Sequence, residues 1–180
     1  MPPPRYSNCP LPPYAHIPGE TPHPVSDPRG HLHGQVHEPP PPLDPSAWQA
    51  SDAYRYGVDL FNHGYYWEAH EAWESLWLAA GRSGPVAIWL KALIKLAAAM
   101  VKVRAGNAAG GCRHALRAQE LLDELDEMFD PPHPVQSYCG VQLLGIHGVA
   151  SEVSSIADGS PQRFDPNALL ASSIELDYPS

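Results

Sequence analysis

The sequence predicts an all-α protein: an antiparallel helical bundle of about four to five helices behind a Pro/His-rich N-terminal arm. Three observations carry this. Fifteen of the 22 prolines lie in residues 1–45, and between Ser46 and Asp130 only Pro85 interrupts the chain. All five tryptophans fall in that same proline-poor middle. The middle also repeats its apolar residues with the three-to-four-residue period of a helix, and glycine or Gly-Pro marks each break. A chain of 180 residues suits one such domain with extensions. We therefore divide it into an arm over 1–45, a bundle over 46–130 and an extension over 131–180.

The arm holds too much proline for a helix or a central strand. It is not a simple repetitive linker either, because five of the ten histidines lie in it, interleaved with turn formers. Two readings stay open. One is a disordered polyproline-like tail; the other is an ordered wrap that offers His23, His31 or His33 to a site. Residues 38–42 read as a stiff spacer.

Asp44-Pro45 or Ser46 can cap the first helix, which runs to Phe61 and closes on Asn62-His63-Gly64. The second covers about 66–80 and ends at Gly81; so short a connection makes the two a hairpin. Gly84-Pro85 starts the third, which stops at Gly106-Asn107. Ala97, Ala98 and Ala99 make it slim. Lys91, Lys95 and Lys102 share one stripe, either a solvated face or a counter-charge to the acidic second helix. The glycine-rich run 106–111 follows a helix, not a strand, and reads as a turn. The fourth helix covers about 109–129, with Ala118, Leu121, Leu122, Leu125, Met128 and Phe129 on its apolar side. A weaker helix is expected over about 141–157, and extended chain after Pro161.

The second helix carries the candidate site. At roughly 100° per residue, Trp67, His70, Trp73, Glu74 and Trp77 share an arc of roughly 120° that should face the core. A carboxylate buried there without a partner costs several kcal/mol. Glu74 therefore needs one, and His70 at i−4 is nearest. A histidine and a glutamate at this spacing can chelate one ion from consecutive turns. The expected metal ligands are His70 and Glu74, completed by His23 and His31 from the arm. His114 and His63 are further imidazoles in the neighbourhood, each more readily a core or turn residue than a ligand.

The donor set suits zinc, iron(II) or manganese better than calcium. If the protein is an enzyme, a metal-dependent hydrolase is the natural reading, with water activated by the ion and Glu71 or Glu68 accepting its proton. The rival reading is a non-catalytic helical interaction module. There His70 and Glu74 form a buried hydrogen-bond or ion pair, completed by Lys95 or Lys102, and the aromatic surface binds a partner or a second copy. The HExxE string from His70 to Glu74 lacks the second imidazole of zinc proteases. The Glu-x-x-His of di-iron bundles is absent because Trp67 occupies its glutamate position. No nucleophile elbow, P-loop or dinucleotide glycine pattern occurs.

Bulk properties narrow the partners. A net charge of −9, with scattered lysines and arginines, argues against nucleic acid and against a membrane surface. A small molecule, another protein or a second copy of the chain remains. Cys9, Cys112 and Cys139 are odd in number and lack CxxC spacing, which favours a reducing compartment. The start of the chain has no secretory pattern, and the apolar run 86–103 is broken by Lys91, Lys95 and Lys102, so the cytoplasm is the expected location.

The run from Phe61 through Asn62-His63-Gly64-Tyr65-Tyr66-Trp67-Glu68-Ala69-His70-Glu71-Ala72-Trp73-Glu74, followed by Trp77, resembles a known group. This is domain-of-unknown-function family three hundred and nine, small bacterial and archaeal helical proteins with a His-x-x-x-Glu-x-x-Trp/Tyr hallmark. His70, Glu74 and Trp77 fill that hallmark. A second block is similar from Leu93-Ile94-Lys95-Leu96-Ala97-Ala98-Ala99 through Lys102 to Gly106-Asn107. The resemblance covers roughly 52–125. It implies an antiparallel bundle and a metal-binding role for the hallmark residues. Lys95 stands where the family pattern has glutamine, which argues against a ligand role there. The His-rich arm is similar to one in longer members.

Overall fold

The structure, a computed structural model, describes residues 2–36, 38–129, 136–156 and 174–178. Five helices dominate it: α1 Asp52–Asn62, α2 Tyr66–Ala79, α3 Pro85–Arg104, α4 Ala108–Met128 and α5 Leu143–Ile156. A 3₁₀ turn, Trp48–Ala50, precedes α1, and a small antiparallel hairpin, β1 Ser137–Tyr138 with β2 Val141–Gln142, precedes α5. Each α-helix packs chiefly against its neighbour in sequence, which makes the expected all-α bundle. Among the described residues, no helix is long and apolar enough to cross a membrane.

The helix ends follow local chemistry. Asn107 caps α4 by accepting the Gly110 N–H at 2.8 Å. Gly64, Gly81 and Gly106 take positive φ just beyond α1, α2 and α3, as helix C-termini favour. Pro85 opens α3, where its missing N–H costs nothing.

Three expectations are corrected. The first helix begins at Asp52, capped by Ser51 through the Tyr54 N–H at 3.3 Å. Asp44 spends its carboxylate on the Ser46 N–H and hydroxyl, in a turn that feeds the 3₁₀ element. Gly110 and Gly111 lie in the first turn of α4, not in a turn between helices. A methyl group on Gly111 would meet Val103 and the Ala99 carbonyl, so this glycine lets α3 and α4 approach closely. Met128 is exposed, while Leu125 is buried and Phe129 packs against the core beside Tyr138. The extended chain expected after Pro161 falls largely outside the described residues.

The core is aromatic near α1 and aliphatic between α3 and α4. Tyr54, Trp73 and Trp89 are fully buried, as are Leu90, Leu93, Leu96, Leu121, Leu122 and Leu125. The Tyr54 hydroxyl accepts from Trp89 Nε1 at 3.3 Å and donates to the Cys139 carbonyl at 3.1 Å, tying α1 to the hairpin. Cys139 and Gly140 both have positive φ, as a two-residue hairpin turn requires. The three cysteines are free, and burial pushes the Cys139 thiol far above its ordinary range.

The arm packs along α1 and α2. Its first anchor is Asp59, a fully buried carboxylate on α1. Asp59 accepts the Tyr6 N–H at 2.7 Å, the Ser7 N–H at 2.9 Å and the Ser7 hydroxyl at 2.6 Å. Arg5 Nε completes the set at 3.0 Å. Tyr56 donates to the Pro10 carbonyl and Arg55 to the Tyr6 carbonyl, at 2.9 and 2.6 Å. The last described segment returns to the same region. The Asn62 side-chain amide pairs with both backbone groups of Ile174 at 2.8 Å, and the Leu176 N–H reaches the Tyr6 hydroxyl at 3.3 Å.

Two predictions follow from this packing. A methyl group on Gly57 would fall inside the buried Trp73 indole, so Gly57→Ala is expected to lower stability by about 1–3 kcal/mol in urea unfolding. Gly145, in α5 with open space around it, is the control: Gly145→Ala should be neutral or stabilising by about 0.5–1 kcal/mol. Asp59→Ala should release the arm, lower stability by about 2–3 kcal/mol and open the Arg5–Tyr6 bond to trypsin.

Candidate functional site on helix α2

Helix α2 follows α1 after a three-residue connection, His63 to Tyr65, held by Arg104, which donates to the Gly64 carbonyl at 2.5 Å and lies over the Tyr66 ring at 4.8 Å. That clamp fixes the rotation of α2 about its axis. The face that enters the core is Tyr66, Ala69, Trp73 and Leu76. By helical geometry this face is turned roughly 80° from the one expected. Trp73 is the only member of the expected aromatic face at its centre. Trp67 and Trp77 are half-buried flank residues, and Trp77 lies under Arg82 and Lys91, with cation-to-ring distances of 5.5 and 5.9 Å.

His70, Glu71 and Glu74 therefore sit on the flank, half-buried, where one donor atom from each lies within 4.8 Å of the others. No hydrogen bond joins His70 to either glutamate among the described residues. Burial pushes the Glu71 carboxyl above its ordinary value; His70 opposes this and Glu74 reinforces it. The cluster looks toward a cationic rim. Burial holds the His114 imidazole low, and the charges of Lys95, Lys102, Arg113 and His70 add to the effect. Lys95 and Lys102 make no ion pair within 4.0 Å among the described residues. His63 stays in its turn, with Nε2 buried and unpartnered.

Glu68 takes the other side of the helix. At roughly 100° per residue it lies roughly 160° from His70, with Glu71 between them. The bundle alone would leave Glu68 in water. It is 5% exposed because the arm covers it. The His16 N–H donates to Glu68 Oε1 at 2.9 Å, and His31 Nε2 lies 3.7 Å from the same oxygen. Burial pushes the Glu68 carboxyl up, against the His16 hydrogen bond and the Arg104 charge. The rings of His16 and His23 pack edge-on against Trp67, with centroids at 5.5 and 5.2 Å.

The structure thus divides the residues singled out from sequence. His70, Glu71 and Glu74 come together. Glu68, His23 and His31 gather under the arm instead, and neither arm histidine joins His70 and Glu74 in a three-donor group among the described residues. His33 turns back on its own loop, its Nδ1 3.0 Å from the Val25 carbonyl. Sequence reasoning missed Asp59 and His16. Neither carries a periodic signal; each is recognised only by the contact between arm and helix, Asp59 with Tyr6 and Ser7, and His16 with Glu68.

Residues 54–114 match the family described as Domain of unknown function (DUF309), the family that the hallmark resembles. The match runs from α1 into α4 and includes Asp59, Glu68, His70, Glu71 and Glu74, while the arm lies outside it. A comparison with curated proteins finds no match.

Proposed function

We propose that the DUF309-matching bundle binds a divalent transition-metal ion on the flank of α2, through His70, Glu71 and Glu74. The observation that carries this reading is the convergence of one imidazole and two carboxylates within 4.8 Å, with no hydrogen bond among them. Ligand bonds of about 2.0–2.2 Å put the donors of one ion roughly 3–4.5 Å apart. The observed spacing closes to that by small rotations of two glutamate side chains. One nitrogen and two carboxylate donors suit zinc, iron(II) or manganese. Half-burial leaves room for solvent or a small ligand beside the protein donors.

When bound, such an ion supplies a Lewis acid that polarises an oxygen and lowers the pKa of water. That chemistry fits a hydrolytic reaction, with the uncoordinated oxygen of the Glu71 carboxylate as the group of this chain that would accept the proton. Glu68 is engaged by the arm on the far side of the helix and takes no part. Lys95 and Lys102 make the rim attractive to an anionic substrate group. A purely structural role would need His70 and Glu74 bonded to each other and dehydrated, and their half-exposed, unbonded arrangement does not support that.

The test is metal counting on chelator-treated full-length protein, by equilibrium dialysis against zinc and then manganese. The His70→Ala/Glu74→Gln double variant should hold one saturable equivalent fewer than the parent, with its helicity unchanged by circular dichroism. An equal count in the two proteins defeats the reading.

A further inference from the structure

We propose that the arm and α2 form a second, separate divalent-cation site, with His31 and Glu68 as its two protein ligands and the His16 N–H holding the Glu68 carboxylate in place. The pair is deeply enclosed, with 7% of the His31 side chain and 4% of the Glu68 side chain exposed. Yet both ring nitrogens of His31 and Oε2 of Glu68 are buried without any hydrogen-bond partner. Three such atoms in one place are costly, because each loses its water and gains nothing. The 3.7 Å between His31 Nε2 and Glu68 Oε1 is too long for a hydrogen bond. It is close to the separation of two ligands on one ion with bonds of about 2.0–2.2 Å.

The surroundings hold His31 in place. Residues 22–35 form a self-stapled loop: the Leu32 N–H reaches the Pro24 carbonyl at 3.0 Å, Asp27 N–H the His23 carbonyl at 3.2 Å, and Gly30 N–H the Asp27 carbonyl at 2.8 Å. Gly30 packs so tightly on the His23 and Pro24 carbonyls that no side chain fits there. Tyr14 roofs the His31 ring edge-on at 4.7 Å. Burial and the nearby His16 keep the His31 imidazole toward its neutral form, which is the form that binds metals. His16 is fixed beside Glu68 by its own N–H, so its main chain supplies the kind of outer contact that orients a ligating carboxylate, and its ring Nδ1 lies 3.1 Å from the Thr21 hydroxyl. His23 has a different role. Its Nδ1 accepts the Val25 and Ser26 N–H groups at 3.3 Å, which puts the proton on Nε2 and leaves no lone pair for a metal.

The site shares no ligand with the His70 cluster, so the two can be tested apart. In the His70→Ala/Glu74→Gln background, chelator-treated protein is titrated with cobalt(II) and zinc alone. One equivalent should remain, with visible d–d absorption for cobalt. Adding Glu68→Gln, which keeps an oxygen for the His16 N–H and so keeps the arm docked, should weaken that equivalent at least about tenfold. His31→Gln should do the same, and His23→Gln should leave it intact. Protection of the Arg5–Tyr6 bond from trypsin verifies that the arm is in place in every variant. Absence of a remaining equivalent, or one indifferent to both Glu68→Gln and His31→Gln, overturns the proposal and leaves the pair as an ion pair or water-bridged contact. Neither result bears on the His70 cluster, whose failure would show as an unchanged count between the parent and the background variant.

Discussion

Two carboxylates on the outer sides of adjacent helices, Asp59 and Glu68, are kept from water by a segment with almost no regular structure. That condition organises the molecule. A helix-borne acid under a covering segment must be met by donors from the cover, or the cover does not stay. The arm meets it largely with main chain: the Tyr6, Ser7 and His16 N–H groups all end on these two side chains. Proline supplies the means. It keeps residues 2–16 out of helix and strand, so the Tyr6, Ser7 and His16 N–H groups are free to be spent on the helices. With the arm away, both acids would be hydrated. Docking therefore draws its free energy from the difference between water and arm donors, supplemented by the apolar contact of Tyr6 and Leu11 with the core.

The two clusters on α2 differ in kind as a result. His70, Glu71 and Glu74 need only the bundle to be brought together. The His31–Glu68 pair exists only when the arm is seated. Glu71 stands between them on the helix: its charge raises the proton affinity of Glu68, and its own is raised by burial and by Glu74. The span matching the family contains the first cluster and only half of the second.

Much of the fold could be read in the sequence, and the reasons are local. Gly64, Gly81, Pro85 and Gly106 punctuate the chain with residues whose backbone preferences do not depend on distant packing, so α2 and α3 lie within a residue or so of expectation. The start of α1 was misplaced because Asp44, Ser46 and Ser51 are all competent caps, and only the 3₁₀ turn decides among them. The inward face of α2 was misjudged for a different reason. Indole rings read as core by their hydropathy, whereas Trp67 is covered by the arm and Trp77 by Arg82 and Lys91. The hallmark pair was legible because i and i+4 spacing is a property of one helix. The assembly under the arm was not, because bringing His16 and His31 to Glu68 depends on turns separated from it by dozens of residues and on no periodicity.

Trp67 gives this arrangement an optical consequence. Its indole is the floor on which two imidazoles rest, while the other four tryptophans sit in the core or beneath arginine and lysine. Departure of the arm would hydrate that one ring and lift two quenching histidines from it, so the native chain carries its own fluorophore for following how often, and how fast, the strap lifts.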